Sequence, residues 1–444
     1  MGFSITPSHR RRSMLLLTSR LAASRSGSLD VRGYGAGGRI PAMTAACLVA
    51  ALGLGGCASR ATGFLEPVPA TVPGASQVEM VIATTREKAT ERGEMFSGFR
   101  SRSPAFADIV VSIPPDGSRQ VGEVQWPQQV PGNPATDFVT LQADEISKDQ
   151  AIATFAKLIK KSPTHQAVVF VHGFNNRFED AVFRFAQIVH DSGTDAAPVL
   201  FTWPSKGSIL AYGYDRESAG VSRNGLENLL RWLAKNPDVS SVAVLAHSMG
   251  NWVTLEALRQ MAIRDGRVAP KIKTVLLASP DVDVDVAYET ITSMGPQRPN
   301  FLLFTSTNDE ALAVSRKLWG GPRLGGIDPT QEPYRSDLAR ERIEVVNLSG
   351  VQSPDKLGHG TYAENPKVVE LIGRSIAGGQ TLADARVGLG ERISLAVSGA
   401  TAAVGQAAGL AVSTPLAIVD PETAKHYGDQ VEALGHPTQQ GLLR

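Results

Sequence analysis

Ser248 stands where a short apolar run, Val242, Val244 and Leu245, gives way to Val253, Ala257, Leu258 and Met261 at helical spacing. A serine on a strand-to-helix turn with small residues two positions either side is the pattern of a nucleophile elbow, because the two backbones crowd each other there. Here the flanking small residues are Ala246 and Gly250. Alanine adds a methyl group to the usual glycine, which loosens the match and keeps its steric sense. Taken alone, the same turn is also what a serine helix cap looks like.

A serine hydroxyl is a poor nucleophile at neutral pH, so the reading requires a base and a group to orient it. Asp309 follows the apolar run Phe301 to Ser306, and His359 sits between Gly358 and Gly360 beyond the run Ile343 to Leu348. His359 is C-terminal to both other candidates, whereas His426 and His436 fall in the tail. Asp281, Asp283 and Asp285 follow the preceding strand and compete with Asp309, which could equally cap a helix opening at Glu310. Attack on a carbonyl also needs N–H donors for the oxygen that becomes negative. The run Val168 to Val171 ends in His172 and Gly173, which makes the N–H groups of Phe174 and Met249 the candidate donors, the latter at a helix start.

These residues need a scaffold that gathers strand ends. Val78 to Thr85, Ala107 to Ile113, Gly122 to Trp126 and Phe138 to Leu141 are strand-like and form an antiparallel edge. Ser147 and Asp149 open a helix with Ile152, Phe155, Ala156 and Ile159 on one face. Strict alternation follows: strand Val168 to Val171, helix Phe178 to Val189, strand Val199 to Trp203, helix Ser222 to Ala234, then the serine strand. Lys273 to Ala278, Phe301 to Ser306 and Ile343 to Leu348 complete the strands, and Asn365 with Pro366 starts a closing helix. The fold class is therefore α/β, a mostly parallel central sheet covered by helices on both faces with an antiparallel N-terminal edge. Chemistry in such sheets gathers at the carboxyl ends of the strands.

The 444 residues are 42% hydrophobic and 20% charged, with a net charge of +1. Without a basic stripe, nucleic acid is not an expected partner. Both cysteines, Cys47 and Cys57, lie near the N-terminus, and no paired-histidine spacing is present, so a zinc site is not expected, and the serine chemistry above requires no metal or organic cofactor. Residues 1–57 read as a leader. An apolar run from Ala42 to Gly56, too short to span a bilayer, ends in Leu54, Gly55, Gly56 and Cys57, which looks like a bacterial lipobox with Cys57 as the lipidated first residue. The leader is long, and His9 to Arg12 before Leu15 could be a second signal, or translation could start at Met14 or Met43. Residues 58–77 form a tether, 78–376 the catalytic domain and 377–444 an Ala/Gly-rich appendage. In the appendage Ile393 to Val419 carries no charge yet has too little hydrophobicity to favour bilayer insertion.

Several stretches taken together resemble the α/β-hydrolase superfamily, and within it a bacterial predicted esterase/lipase family of unknown function whose members often carry lipoprotein leaders. They are Phe170 to Asn176, Phe201 to Ser205, Tyr214 with Asp215, Ala246 to Asn251, Ala278 to Asp281, Asn308 to Leu312 and Gly358 to Tyr362. The resemblance, over Val78 to Ile376, implies a serine hydrolase acting on an ester or similar acyl bond of a small or lipid-like substrate, with Ser248 as nucleophile, His359 as base and Asp309 as its orienter. His172, Trp203, Tyr212, Tyr214 and His247 are candidates for the substrate pocket. A scaffold lipoprotein that keeps the fold without turnover, and an acyltransferase, are the alternatives. With Ala58 rather than aspartate after the cysteine, the family pattern suggests the outer membrane, facing the periplasm or cell surface.

The leader yields a direct test. Cys57→Ser, expressed with the leader intact, is expected to lose palmitate labelling and to fractionate as soluble protein or uncleaved precursor. Persistent label, or release only on deletion of residues 393–419, places the anchor elsewhere.

Overall fold

Runs of β-branched and aromatic residues with no polar alternation form strands that must be covered on both sides. The computed structural model describes residues 62–378 apart from 70, 92 and 353, all in the second of two units, which begins at Ala61. Cys57 and the Ile393 to Val419 segment lie outside the described residues. Among the described residues nine strands make one sheet: β1 (Ser76–Lys88), β2 (Phe96–Ile113), β3 (Val139–Ile146), β4 (Gln166–Val171), β5 (Ala197–Thr202), β6 (Ser241–His247), β7 (Ile272–Ala278), β8 (Asn300–Thr305) and β9 (Glu344–Asn347). Their order is β3-β2-β1-β5-β4-β6-β7-β8-β9. The β1-β2 and β2-β3 pairs are antiparallel and the others parallel.

Helices α1 (Lys148–Lys161), α2 (Phe178–Ser192), α3 (Tyr212–Lys235), α4 (Gly250–Asp265), α5 (Val284–Thr292), α6 (Glu310–Trp319), α7 (Tyr334–Arg340), α8 (Thr361–Glu364) and α9 (Pro366–Gly378) connect and cover the strands. Alternate residues of the central strands face opposite cores. Val169, Val171, Val244 and Ala246 pack with Phe155 of α1, Leu230 of α3 and Leu258 of α4. Val168, Phe170 and Leu245 pack with Phe183 and Phe185 of α2 and Ile372 of α9. The doubly covered sheet with its antiparallel edge is the expected fold class.

Three expected boundaries are corrected. No strand forms from Gly122 to Trp126. Gly122 has a φ of +91° and its N–H donates to Asp191 Oδ2 at 2.7 Å, so this segment is tied to α2 rather than paired along a ladder. A Cβ on Gly122 would lie 2.1 Å from the Glu364 carbonyl oxygen, a close approach only glycine permits. β2 begins at Phe96 rather than near Ala107, and its register shifts at two places against β1, which erases the alternation that would have shown it. α3 begins at Tyr212 rather than Ser222 because its first half buries polar groups, Asp215, Ser218 and Ser222, and an apolar period cannot reveal such a face.

The pairing of Val171 with Ala246 brings the ends of β4 and β6 side by side, and α4 starts directly over them. A Cβ at Gly250 would come within 2.4 Å of the His172 carbonyl oxygen and 2.6 Å of that of Val171. Both obstacles are backbone and cannot rotate away. Gly250→Ala is expected to destabilise the fold by roughly 1–3 kcal/mol, seen as a lower midpoint in urea unfolding. Gly220→Ala in α3 meets nothing within 4 Å, and should raise the midpoint, by about 0.5–1 kcal/mol.

Candidate active site

Ser248 leaves β6 with a φ of +52°, the left-handed region that a non-glycine residue enters at a cost of roughly 1–2 kcal/mol. Its N–H donates to the Ala278 carbonyl at 3.0 Å. Its own carbonyl accepts from the Asn251 side-chain amide at 3.0 Å and from the Asp281 N–H at 3.2 Å. The buried Asn251 amide also reaches the Ala278 carbonyl at 3.2 Å, so one side chain stitches the turn to the end of β7. These bonds hold the strained residue in place.

The loop after β4 reaches the same point. A Cβ on Gly173 would lie 2.8 Å from Ser248 Cβ, so only glycine lets this backbone pass. Among the described residues, neither the Phe174 N–H nor the Met249 N–H has a partner within the protein. One donor therefore follows Ser248 in sequence and the other follows the residue packed against it.

A buried polar lattice fixes that loop. His172 is buried, and burial, with the nearby Arg86 cation, pushes its pKa down to about 3. The neutral ring donates from Nδ1 to the Gly173 carbonyl at 2.9 Å, while Nε2 accepts from the Trp203 N–H at 3.1 Å and from Arg86 at 3.3 Å. The Trp203 indole stacks on this ring and donates to the His172 carbonyl at 2.8 Å. Arg86 also donates to the carbonyls of Ser205 at 2.8 Å and Asn176 at 2.9 Å. Desolvation lowers its pKa to about 10, and the surrounding Glu179, Asp215 and Asp180 oppose that shift, so it remains a cation at neutral pH. Asp215 accepts from the Ser205 hydroxyl at 2.5 Å, the Lys206 N–H at 2.9 Å and the Asn175 N–H at 3.5 Å, joining the loops after β4 and β5.

On the other side, His359 Nδ1 lies 2.7 Å from Asp309 Oδ2. The remaining oxygen of Asp309 accepts from the Leu312 N–H at 2.9 Å and caps α6. Capping and contact with the imidazole, rivals in the sequence, are both made by this one carboxylate. The loop carrying His359 is held by Asp355, whose Oδ2 accepts from the N–H groups of His359 at 2.8 Å and Gly360 at 2.9 Å. Asp355 in turn donates its N–H to Glu364, which pairs with Arg184 of α2 at 3.2 Å. Burial alone would lower the pKa of His359, but the charge and hydrogen bond of Asp309 raise it above the ordinary 6.5.

The competing carboxylates are occupied elsewhere. Asp281 accepts from Tyr212 at 2.8 Å and Ser315 at 2.6 Å and pairs with Arg323 at 3.3 Å. Asp283 caps α5, and Asp285 is exposed. His247 packs its ring 4.7 Å from that of His359 and 4.5 Å from Tyr362, and burial holds it well below 6.5, in the neutral form. Neither Ser248 Oγ nor His359 Nε2 has a hydrogen bond to another protein group among the described residues.

Of the residues expected to line a pocket, Tyr212 lies edge-on to Phe174 at 5.1 Å and His247 beside His359. His172 and Trp203 are interior instead, their polar atoms committed to the loop lattice. Tyr214 faces Arg100 and Lys206, 4.3 and 4.7 Å from its ring centre. Sequence reading missed Arg86, Asn251 and Asp355. Asn251 stands three residues after Ser248 and could have been suspected, whereas nothing in a sequence marks one arginine among many as buried.

The family profile described as "Alpha/beta hydrolase of unknown function (DUF900)" matches residues 147–375, from the cap of α1 into α9. The chain belongs to this family. Every residue of the DUF900 site described above except Arg86 and Arg100 falls inside the match. An uncharacterized protein of Nostoc sp., alr1448, is 28% identical over 152 residues, an alignment covering 28% of this chain and 39% of that relative. The chain thus aligns with well under half the length of this relative.

The ion pair of this DUF900 protein can be read directly by imidazole NMR. His359 is expected to titrate above 6.5, and Asp309→Asn to move it down, since removing the anion leaves burial unopposed. An unchanged titration would mean that Asp309 is not its controlling charge.

Proposed function

We propose that this protein is a serine hydrolase that cleaves an ester or related acyl bond through an acyl-enzyme. The observation that carries the reading is the strained Ser248, flanked by the unengaged N–H groups of Phe174 and Met249, with His359 held against Asp309 beside the preceding residue. The family supplies the coarser statement, an alpha/beta hydrolase, and leaves bond and substrate open.

The chemistry follows from the groups. His359 Nε2 takes the Ser248 proton as Oγ attacks the acyl carbon, and the carbonyl oxygen becomes negative. The Phe174 and Met249 N–H groups donate to that oxyanion. Collapse breaks the bond to the leaving alcohol, which takes the proton from His359. Water then attacks the acyl-enzyme, gives a proton to His359 and releases the acid, and Ser248 recovers its proton. Asp309 keeps Nδ1 protonated, so Nε2 is the nitrogen that accepts. We further propose, from the leader sequence, that the enzyme works in the bacterial envelope on a lipid anchor at Cys57.

A fluorophosphonate probe and a panel of chromogenic esters test the reading. Ser248→Ala and His359→Ala should each lower kcat about 10⁴-fold or more, with unfolding midpoints near that of the unchanged chain. Asp309→Asn should cost on the order of 10⁴-fold, and Asp283→Asn far less. Turnover in Ser248→Ala at the original rate would end the proposal. Because the neutral imidazole is the active base, kcat/KM should rise with pH through an apparent pKa above 6.5. A profile flat between pH 5 and 9 would remove His359 as the base.

A further inference from the structure

Single exposed apolar side chains are ordinary on a soluble protein, whereas their concentration on one edge is not. Of the large exposed apolar residues, Phe99, Ile209, Leu210, Val314, Leu318 and Trp319 lie on segments at the same edge of the sheet as Ser248. Leu210, on the turn Ile209–Ala211 between β5 and α3, is 93% exposed, and Leu318, in the last turn of α6, is 69% exposed.

Ring contacts and chain neighbourhood bring the segments that carry these residues together. Lys206 Nζ sits 3.0 Å above the Phe99 ring. Ile209 and Leu210 follow three residues later, and Tyr212 stacks on Trp319 at 5.0 Å. Leu357, also exposed, accepts from the Glu310 N–H at the start of α6. The surface is continuous with the site, since Tyr212 meets both Trp319 and Phe174. An apolar chain entering from this edge would meet aromatic rings as far as the proposed oxyanion donor.

The charges on these segments favour one occupant. Lys206, Arg216, Arg316, Lys317 and Lys356 are exposed or half-exposed. Against them stand Glu217 and Glu310, with Asp355 already engaged by the His359 loop. Apolar side chains ringed by excess cations are the pattern that sinks into the boundary of an anionic lipid layer. We propose that this rim seats the mouth of the site on such a layer, and that the ester it takes is one held in a membrane or micelle. The substrate half rests on the hydrolase reading; the docking half rests on the surface alone.

The test uses the full chain carrying Cys57→Ser, so that acylation contributes nothing, and vesicles of phosphatidylcholine with or without phosphatidylglycerol. Co-sedimentation should show binding to the anionic vesicles, at least roughly tenfold weaker for the neutral ones and for the double variant Leu210→Asp with Leu318→Asp. The pair Ile152→Asp and Ile263→Asp, on the exposed faces of α1 and α4, should bind as the unchanged rim does. Should the rim aspartates abolish cooperative unfolding, Phe99→Ser with Leu210→Ser carries the same expectation. Absence of binding with the rim intact, or equal binding by rim variants, overturns the proposal. So does a rim variant that turns a dimer into a monomer without vesicles, which would give the surface to a second copy. Fluorophosphonate labelling without vesicles keeps the two readings apart: labelling without docking removes only the lipid surface, and docking without labelling removes only the hydrolase and its substrate.

Discussion

Two backbones meet where α4 begins over the end of β4, and there is no room between them for a single carbon atom at Gly250. That contact dictates the local geometry. With the helix so close to the strand, the chain must turn abruptly at Ser248 and takes a positive φ to do so. The same closeness demands Gly173 on the neighbouring loop, because a side chain there would strike Ser248. Among the described residues the N–H groups of Phe174 and Met249 are left unengaged at this crossing, the first past the end of its strand ladder and the second at a helix start, where no preceding turn supplies a carbonyl.

Crowding alone would not make a stable loop, and the chain stabilises it with buried polar groups rather than apolar ones. Arg86 is interior and charged, which would be prohibitive without partners. Its partners are carbonyls of three separate segments and the unprotonated nitrogen of His172. Since a guanidinium is planar and its donors point in fixed directions, each carbonyl has one place to be. Asp215 performs the converse task, collecting a hydroxyl and an N–H from the loop after β5. The opposite wall uses the same device, with Asp355 gathering the two N–H groups that precede α8.

The parallel sheet was legible because its strands are unbroken apolar runs, and the order of Ser248, Asp309 and His359 was legible because each follows such a run. Asp309 shows why the competing readings could not be separated in advance. A cap and an imidazole partner ask for the same residue at the same position, and the structure gives each function one oxygen. What stayed hidden were elements whose buried face is polar, as in the first half of α3, and residues whose partners come from distant segments. Arg86 meets its partners from 11 to 119 positions away, a relation that no local pattern carries. His172 and Trp203 were misplaced for the same reason: aromatic groups at a strand end suit a pocket as well as a keystone, and only the bonds of their nitrogens decide between the two.

The left-handed conformation of Ser248 sets a gradient for drift. Glycine would occupy that position without the Cβ conflict and asparagine with less of it, so replacements that abolish the hydroxyl are the ones that relax the backbone. A lineage released from any need for this oxygen would therefore gain stability by losing it, and gradual decay would run downhill toward an inert scaffold. Serine in this chain stands against that slope. The strain is a standing cost, set in a quantity that packing alone gives no reason to keep.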